Sequence, residues 1–537
     1  MSSSTRPDPD HRARWSALAV LCFSILIVNL DSTVLNVALP TLVRDLHATS
    51  TQLQWIVDAY ALVFGGLLLV SGSLADRVGR KRTFLAGLVA FAAGSAWAAF
   101  SGSVGMLIAA RASMGVGAAL MMPSTLAIIT DVFRDPDERQ RAIGFWAGTS
   151  GVGFAIGPIV GGALLTHFWW GSVFLINVPI AALGVLCAVA FVPDSRKHGA
   201  PPPDAVGALL SIAGLGLVLW SIIEAPVHGW SSARVLVPGA LGLVVLGLFA
   251  AWERASSHPM LNLAFFRIRS FSVAVCSIGL GAFGFIGALF LLTQFLQFEL
   301  GFSPLQAGVR MLPAAAAVAV VAPLSALADR VVGVKLTTAA GLLIASAGLW
   351  LVSHATVAWG YADLVPGMVL IGVGAALVMP TVSGSVMASV PRGDTGVGSA
   401  TNGTFIQIGG ALGVAVVGSL QSTRYQDTIA RSIAPFHVPH QVEQTILGSI
   451  GGALEVAARL GGVLGAALAH AARAAFVSGA NLGLRAASAV ALGGFLLALA
   501  ALPTRPPAVP PGDEGAGPAA AEAEPAAGAD RRAATRR

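Results

Sequence analysis

The stretch GSLADRVGRKR, residues 72–82, packs Arg77, Arg80, Lys81, Arg82, Asp76, Gly72 and Gly79 into eleven positions between two apolar runs, 52–72 and 83–101. About 20 apolar residues suffice to cross a hydrocarbon core of ~30 Å. Backbone in lipid must satisfy its own hydrogen bonds, so each run is expected to be a helix. The charged stretch is then the loop between two membrane helices, on the side where positive charge collects. Gly72 lets the helices approach, Gly79 permits a tight turn, and Asp76 can cap a helix or pair with arginine.

The same alternation continues in both directions. The chain has 537 residues, 55% of them hydrophobic and only 11% charged, against roughly 25% charged in soluble domains. Fourteen spans follow, at 15–39, 52–72, 83–101, 104–130, 142–166, 171–192, 205–225, 235–252, 271–298, 304–327, 336–353, 361–389, 400–421 and 483–503. Alternate loops collect Lys and Arg: the 77–82 cluster, then Arg134, Arg139, Arg141, Arg196, Lys197, Arg254, Arg267, Arg269, Arg330, Lys335 and Arg392. The loops of the other side hold Arg44 and Arg234. This bias predicts a multi-pass protein of the cytoplasmic membrane with both termini cytoplasmic. Arg6, Arg12 and Arg14 run straight into the first span, so no cleavable signal is expected.

The net charge of +6 sets topology here and does not imply nucleic-acid binding. Cys22, Cys187 and Cys276 lie inside apolar runs, so neither a disulfide nor a metal site is expected. His437 and His440 are the nearest thing to a metal pair and lack further ligands. No GxxxxGK[ST] phosphate loop occurs, which argues against an ATP-driven pump. No clustered acids or histidines suggest a membrane enzyme, and no ring of repeated pore residues suggests a channel.

The chain carries an internal repeat. GVGAALMMP at 115–123 returns as GVGAALVMP at 372–380, eight of nine residues alike at an offset of 257. SLADRVGRK at 73–81 is echoed by ALADRVVGVK at 326–335, with one extra residue. Spans 1–6 therefore correspond to spans 9–14, and spans 7 and 8 are inserted. The predicted division is a cytoplasmic segment 1–14, a six-helix bundle 15–192, an inserted pair with flanking loops 193–270, a second bundle 271–503 and a disordered tail 504–537. Within the second bundle, 422–482 is expected as a long extracellular loop carrying an interfacial helix near 456–469. Repeats of this kind place a substrate site between the halves near the bilayer midplane.

Residues 72–82 match the signature loop of the major facilitator superfamily, and GFAIGPIVGG at 153–162 resembles the antiporter motif of its exporters. There Gly153, Gly157 and Gly161 recur every four residues, a bare face for close packing, and Pro158 kinks the span. With LDSTVLNVALP (30–40) and FLINVP (174–179), the chain resembles the fourteen-helix drug:proton antiporters, the QacA/EmrB-type multidrug exporters. It departs from them at Met114, at Ile406-Gln407 and at Gly171-Ser172. The resemblance implies an all-α major facilitator fold and a conformational latch made of Gly72, Asp76, Arg77, Gly79, Arg80 and Lys81. Gly153, Gly157, Pro158, Gly161 and Gly162 would form the antiporter motif. It implies a monomer in the lipid bilayer that exports a lipophilic small molecule against protons. The proton gradient would drive it, without a cofactor.

Within LDSTVLNVALP, Asp31 interrupts an apolar run from Trp15 to Leu39, about 24 Å along the helix at 1.5 Å per residue. A lone ion in hydrocarbon costs several kcal/mol. Arg111, in the fourth span, is its expected partner. Pairing holds a carboxylate ionised, while burial without a partner favours the protonated form. A rearrangement that parts such a pair therefore moves a proton, whereas a pair that never parts fixes packing alone. Asn29, Thr33 and Asn36 fall on a different face of the first span and are candidate cavity residues, with Gln294, Gln297, Asn402 and Gln407 in the second half. Asp58, near the outer end of the second span, and Glu224 are expected to be hydrated, and Arg310 to reach outward. The exported compound is either one of many drugs or antibiotics, or a single metabolite made by the same cell.

Overall fold

The computed structural model describes residues 11–196, 202–390, 395–436 and 438–503. The expected N-terminal segment before residue 11, Lys197, Arg392, His437 and the tail 504–537 lie outside them. We label the helices α1 His11–Leu46, α2 Ser50–Val78, α3 Arg80–Ala99, α4 Val104–Val132 and α5 Pro136–His167. There follow α6 Ser172–Phe191, α7 Ala205–His228, α8 Ala233–Ala255 and α9 Arg269–Glu299. The run Pro304–Val352 is broken where Gly333 takes φ 85°, which divides it into α10 (304–332) and α11 (334–352). The chain continues with α12 Tyr361–Ala388 and α13 Thr395–Ile433. Two short helices, α14 His440–Gly448 and α15 Ile450–Leu460, precede α16 Gly462–Ala501. Thirteen runs among the described residues are long and apolar enough to cross a membrane, and the break at Gly333 makes them fourteen passes. The chain is a multi-pass membrane protein.

One expectation needs correcting. Residues 422–482 do not form a long loop. α13 continues to Ile433, and α16 begins at Gly462, about twenty residues before its expected start. The apolar stretch 456–469 is split at Gly461 (φ 62°) between α15 and α16. Arg459, within that stretch, is exposed on α15 and paired with Glu455. Tyr425 ties the short helices down, its hydroxyl donating to the Ile446 and Ser449 carbonyls at 2.8 and 3.2 Å.

The repeat is visible in how its glycines pack. A Cβ on Gly115 would meet the Tyr60 carbonyl and Phe64 of α2, and one on Gly117 would meet Phe91 of α3. In the second copy Gly372 meets Ala314 of α10, and Gly374 meets Ala345 of α11. α4 and α12 therefore each sit between the two preceding helices of their own half. The linkers agree as well. ADRV is followed by Gly79 at φ 123° in the first half, and ADRVV by Gly333 at φ 85° in the second.

The halves meet along two seams that the repeat relates, α2 against α13 and α5 against α10. Thr404 donates to the Gly65 carbonyl at 3.0 Å and Ser419 to Gln54 at 3.1 Å across the first seam. The inserted α7 covers this seam. Leu219 and Ile223 pack on Ala411 and Ala415, and Trp230 donates to Thr423. The second seam is closed at one end only. A Cβ on Gly162 would lie 2.6 Å from the Leu305 Cα, and one on Gly308 would overlap the Pro158 carbonyl. Toward the end bearing the Arg80 loop, the basic end, Gly144, Gly148 and Gly151 have open space around them, and Phe145 is exposed.

A buried ion pair and a recess between the halves

Asp31 and Arg111 face each other inside the first half, each about 1% exposed, with Arg111 Nη1 2.5 Å from Asp31 Oδ2. The second carboxylate oxygen accepts from Asn177 Nδ2 at 3.0 Å, and that amide also reaches Ser95 Oγ at 3.4 Å. Arg111 donates from Nε to the Ile56 carbonyl at 3.2 Å, and its guanidinium lies 4.4 Å from the Tyr60 ring centroid. α1, α2, α4 and α6 thus converge on one charge pair, and both carboxylate oxygens are engaged. A buried ion is tolerated only with this degree of satisfaction. Met114 sulfur is 3.8 Å from Arg111 Nη1, so the residue that departs from the family pattern borders this cluster.

Asp58, one helix away, is treated differently. Its expected hydration is not found. It is fully buried, and neither carboxylate oxygen has a hydrogen-bond partner among the described residues. Glu224 accepts from Trp55 Nε1 at 3.4 Å and lies 3.6 Å from His228. Arg310 lies 3.8 Å above the Phe302 ring, an aromatic contact rather than a reach outward.

At the basic end, Arg80 bridges two helices across the turn at Gly79. Its Nε reaches Asp76 Oδ1 at 2.9 Å, and its Nη1 reaches Asp131 Oδ2 at 2.5 Å and the Ala127 carbonyl at 3.1 Å. Asp76 lies in the last turn of α2 rather than capping an N-terminus. An acid there opposes the helix dipole, and Arg80 offsets it. Lys81 donates to the Val189 carbonyl of α6, Gly72 faces Pro123 of α4, and Arg77 is exposed. Asp131, which completes this loop, was not singled out by sequence. Nor was Asn177, although it stands inside FLINVP.

The expected antiporter motif is the face by which α5 packs on α1. Cβ atoms on Gly153, Gly157 and Gly161 would meet Leu26 and Asn29, Leu30 and Thr33, and Val34 respectively. Gly162 and Pro158 turn the other way, toward α10. Between the halves lies a recess lined by Thr33, Asn36, Phe154, Phe285, Leu289 and Thr293, with Pro158 and Met311 at its edge. Of the seven expected cavity residues, Thr33 and Asn36 line it. Asn29 donates to the Ile25 carbonyl and touches α5. Gln294 donates to the Phe290 carbonyl, Gln297 to the Val37 carbonyl across the halves, and Asn402 to Ser383, while Gln407 packs on Gly65. No group of three or more His, Cys, Asp or Glu able to hold a metal occurs among the described residues.

Comparison with known proteins agrees with this architecture. Residues 21–414 match the model of the Major Facilitator Superfamily. The multidrug efflux pump LfrA of Mycolicibacterium smegmatis is 36% identical over 447 residues, 83% of this chain and 88% of that protein. The tetracenomycin C resistance and export protein of Streptomyces glaucescens is 33% identical, over 85% of this chain and 87% of its own length. Among solved structures, a bacterial homolog of the human lysosomal transporter Spinster, inward-facing and unoccupied, superposes with a TM-score of 0.62. It covers 91% of this chain and 98% of its own at 18% identity, a likeness of fold. With the family model spanning most of the chain and relatives matched over nearly their whole length, the chain belongs to the major facilitator superfamily and, within it, to the fourteen-helix drug:proton antiporters.

Proposed function

We propose that this protein is a proton-coupled exporter of lipophilic drugs or antibiotics, working by alternating access across the cytoplasmic membrane. The observation that carries the proposal is the Asp31–Arg111 pair, buried in the first half and held by four helices. Intramembrane ions mark coupling sites by default. This one borders α1, whose other face lines the recess between the halves. Coupling at this pair requires that α1 also shift against α4 and α6 within the first half as the halves rock. Parting Asp31 from Arg111 and Asn177 favours protonation, and re-forming the pair expels the proton. Asp58, buried without a partner, is the second position at which this bundle would carry a proton. The basic loops lie in the cytoplasm in this reading, with both termini. The cleft between α5 and α10 then opens inward and closes outward. The protein acts as a monomer, needs no cofactor and draws its energy from the proton gradient.

The names of the two relatives support drug export: one is an efflux pump, the other an export protein. The test is efflux of a panel of fluorescent lipophilic compounds from cells expressing wild type or Asp31→Asn, with and without a protonophore. Protonophore-sensitive efflux that the substitution abolishes is the expected result. Efflux indifferent to both would refute proton coupling at Asp31.

A further inference from the structure

Three polar side chains line the recess, and each already donates a hydrogen bond to a backbone carbonyl. Thr33 Oγ1 donates to the carbonyls of Asn29 and Leu30 at 3.0 and 3.1 Å. Thr293 Oγ1 donates to the Leu289 carbonyl at 3.0 Å. Asn36 donates from Nδ2 to the Ser32 carbonyl at 3.1 Å. A carbonyl can only accept, so this bond places the amide NH2 there and leaves Oδ1 as the other end. That Oδ1 is buried and has no hydrogen-bond partner among the described residues. The wall is otherwise apolar, and the polar atom left unsatisfied at it is an acceptor oxygen. No lining residue carries a carboxylate or any other charge. Asp31 faces away, with both oxygens taken by Arg111 and Asn177.

The recess also has an aromatic wall made by both halves. Phe154 of α5 and Phe285 of α9 stack with centroids 5.5 Å apart and planes 29° apart. The open volume is about 20 Å³, room for little more than a water molecule. A ligand thus enters only as the two rings part. A flat aromatic molecule between them replaces one ring–ring contact with two.

We infer that the recess is a binding site for flat, uncharged aromatic compounds bearing an N–H or O–H donor, gripped by Phe154 and Phe285 and read by Asn36 Oδ1. The inference deepens the export reading by naming a substrate class and a selectivity. A dication would find no counter-charge here, and an aromatic without a donor would leave Asn36 Oδ1 unsatisfied.

Binding to the full chain in lipid nanodiscs tests this without a transport step. Three probes differ in the features that matter: 2-aminoanthracene is flat and neutral with donors, anthracene lacks the donor, and methyl viologen is a dication with none. Fluorescence titration, read over empty nanodiscs, should show saturable binding of 2-aminoanthracene. Anthracene should bind at least several-fold more weakly, and methyl viologen should not compete. Asn36→Ala should bring 2-aminoanthracene down to the level of anthracene. Phe285→Leu, which removes the ring and keeps an apolar side chain, should weaken both aromatics about 2- to 10-fold, the range of one aromatic contact. Phe154→Tyr, which keeps the ring face, should bind like wild type. Equal binding of the two aromatics by wild type would overturn the inference, and needs no variant to fold. So would competition by methyl viologen, or wild-type affinity in an Asn36→Ala protein of unchanged melting temperature. Saturable, Asn36-dependent binding of an amine that cells do not export would sustain the site and sink the export reading. Protonophore-sensitive export with binding indifferent to Asn36 and Phe285 would do the reverse.

Discussion

Two carboxylates separated by one helix illustrate what a single residue contributes. Asp31 has a guanidinium on one oxygen and an amide on the other, whereas Asp58 has neither. Removing one member of a buried ion pair strands the other, at a cost of about 3–5 kcal/mol, while neutralising both is far milder. Arg111→Gln should therefore lower the melting temperature of the detergent-solubilised protein sharply. The double variant Asp31→Asn/Arg111→Gln should recover most of that loss and still fail in proton-driven efflux. A double variant as unstable as the single would mean that the pair's hydrogen bonds, not its charges, hold the four helices. Asp31 and Arg111 could be matched from sequence because a charge in the middle of an apolar run demands a partner. Asn177 could not, since an asparagine in such a run has many neutral uses. Asp58 was misplaced for a different reason. Distance along a helix suggested hydration, but α7 and α13 cover that end of α2, as the Trp55–Trp220 and Gln54–Ser419 contacts show.

The consequences for a whole helix are clearest in α5, where glycines with opposite roles share one element. Gly157 meets α1 so closely that an added Cβ would overlap the Thr33 hydroxyl, and one on Gly161 would lie 2.8 Å from Val34 Cγ1. Nine residues earlier, Gly148 has nothing within 4 Å. Gly157→Val should force α5 off α1 and cut the yield of folded protein. Gly148→Ala should be neutral or stabilising, since alanine favours a helix interior by up to about 1 kcal/mol over glycine. Thermal melting of the two purified variants checks both. Equal damage from both would mean that α5 does not lie on α1 through this face. The period of four announced a bare face in the sequence, yet nothing in it said that α1 was the neighbour, or that Gly162 belongs to a different contact. Long-range packing of this kind depends on how six helices are arranged, which a local pattern does not encode. The last helix was misjudged for a related reason. Alanine and glycine before residue 483 gave too weak an apolar signal to extend it, although the structure continues it back to Gly462.

At the scale of the molecule, the two seams between the halves are equivalent by repeat and unequal in surroundings. α7 packs on the α2–α13 seam, while the α5–α10 seam is sealed only where Gly162 and Gly308 meet their partners. Toward the basic end, Gly151 and Ala147 lie one and two turns below Phe154 on its face of α5, and both are exposed. The cleft therefore opens toward the basic end. In a chain with Cys22, Cys187 and Cys276 replaced, Ala147→Cys should react with a membrane-impermeant maleimide in inside-out vesicles and not in right-side-out ones. Gly162→Cys, if the sealed end tolerates it, should react in neither, because Leu305 covers it. Collapsing the α5–α10 cleft in the outward-facing state would bury Ala147, so any condition that populates that state should slow its labelling. Labelling of Ala147→Cys from the outside instead would invert the orientation that the arginines set, and equal labelling of both positions from one side would mean that the α5–α10 contact is not a seal.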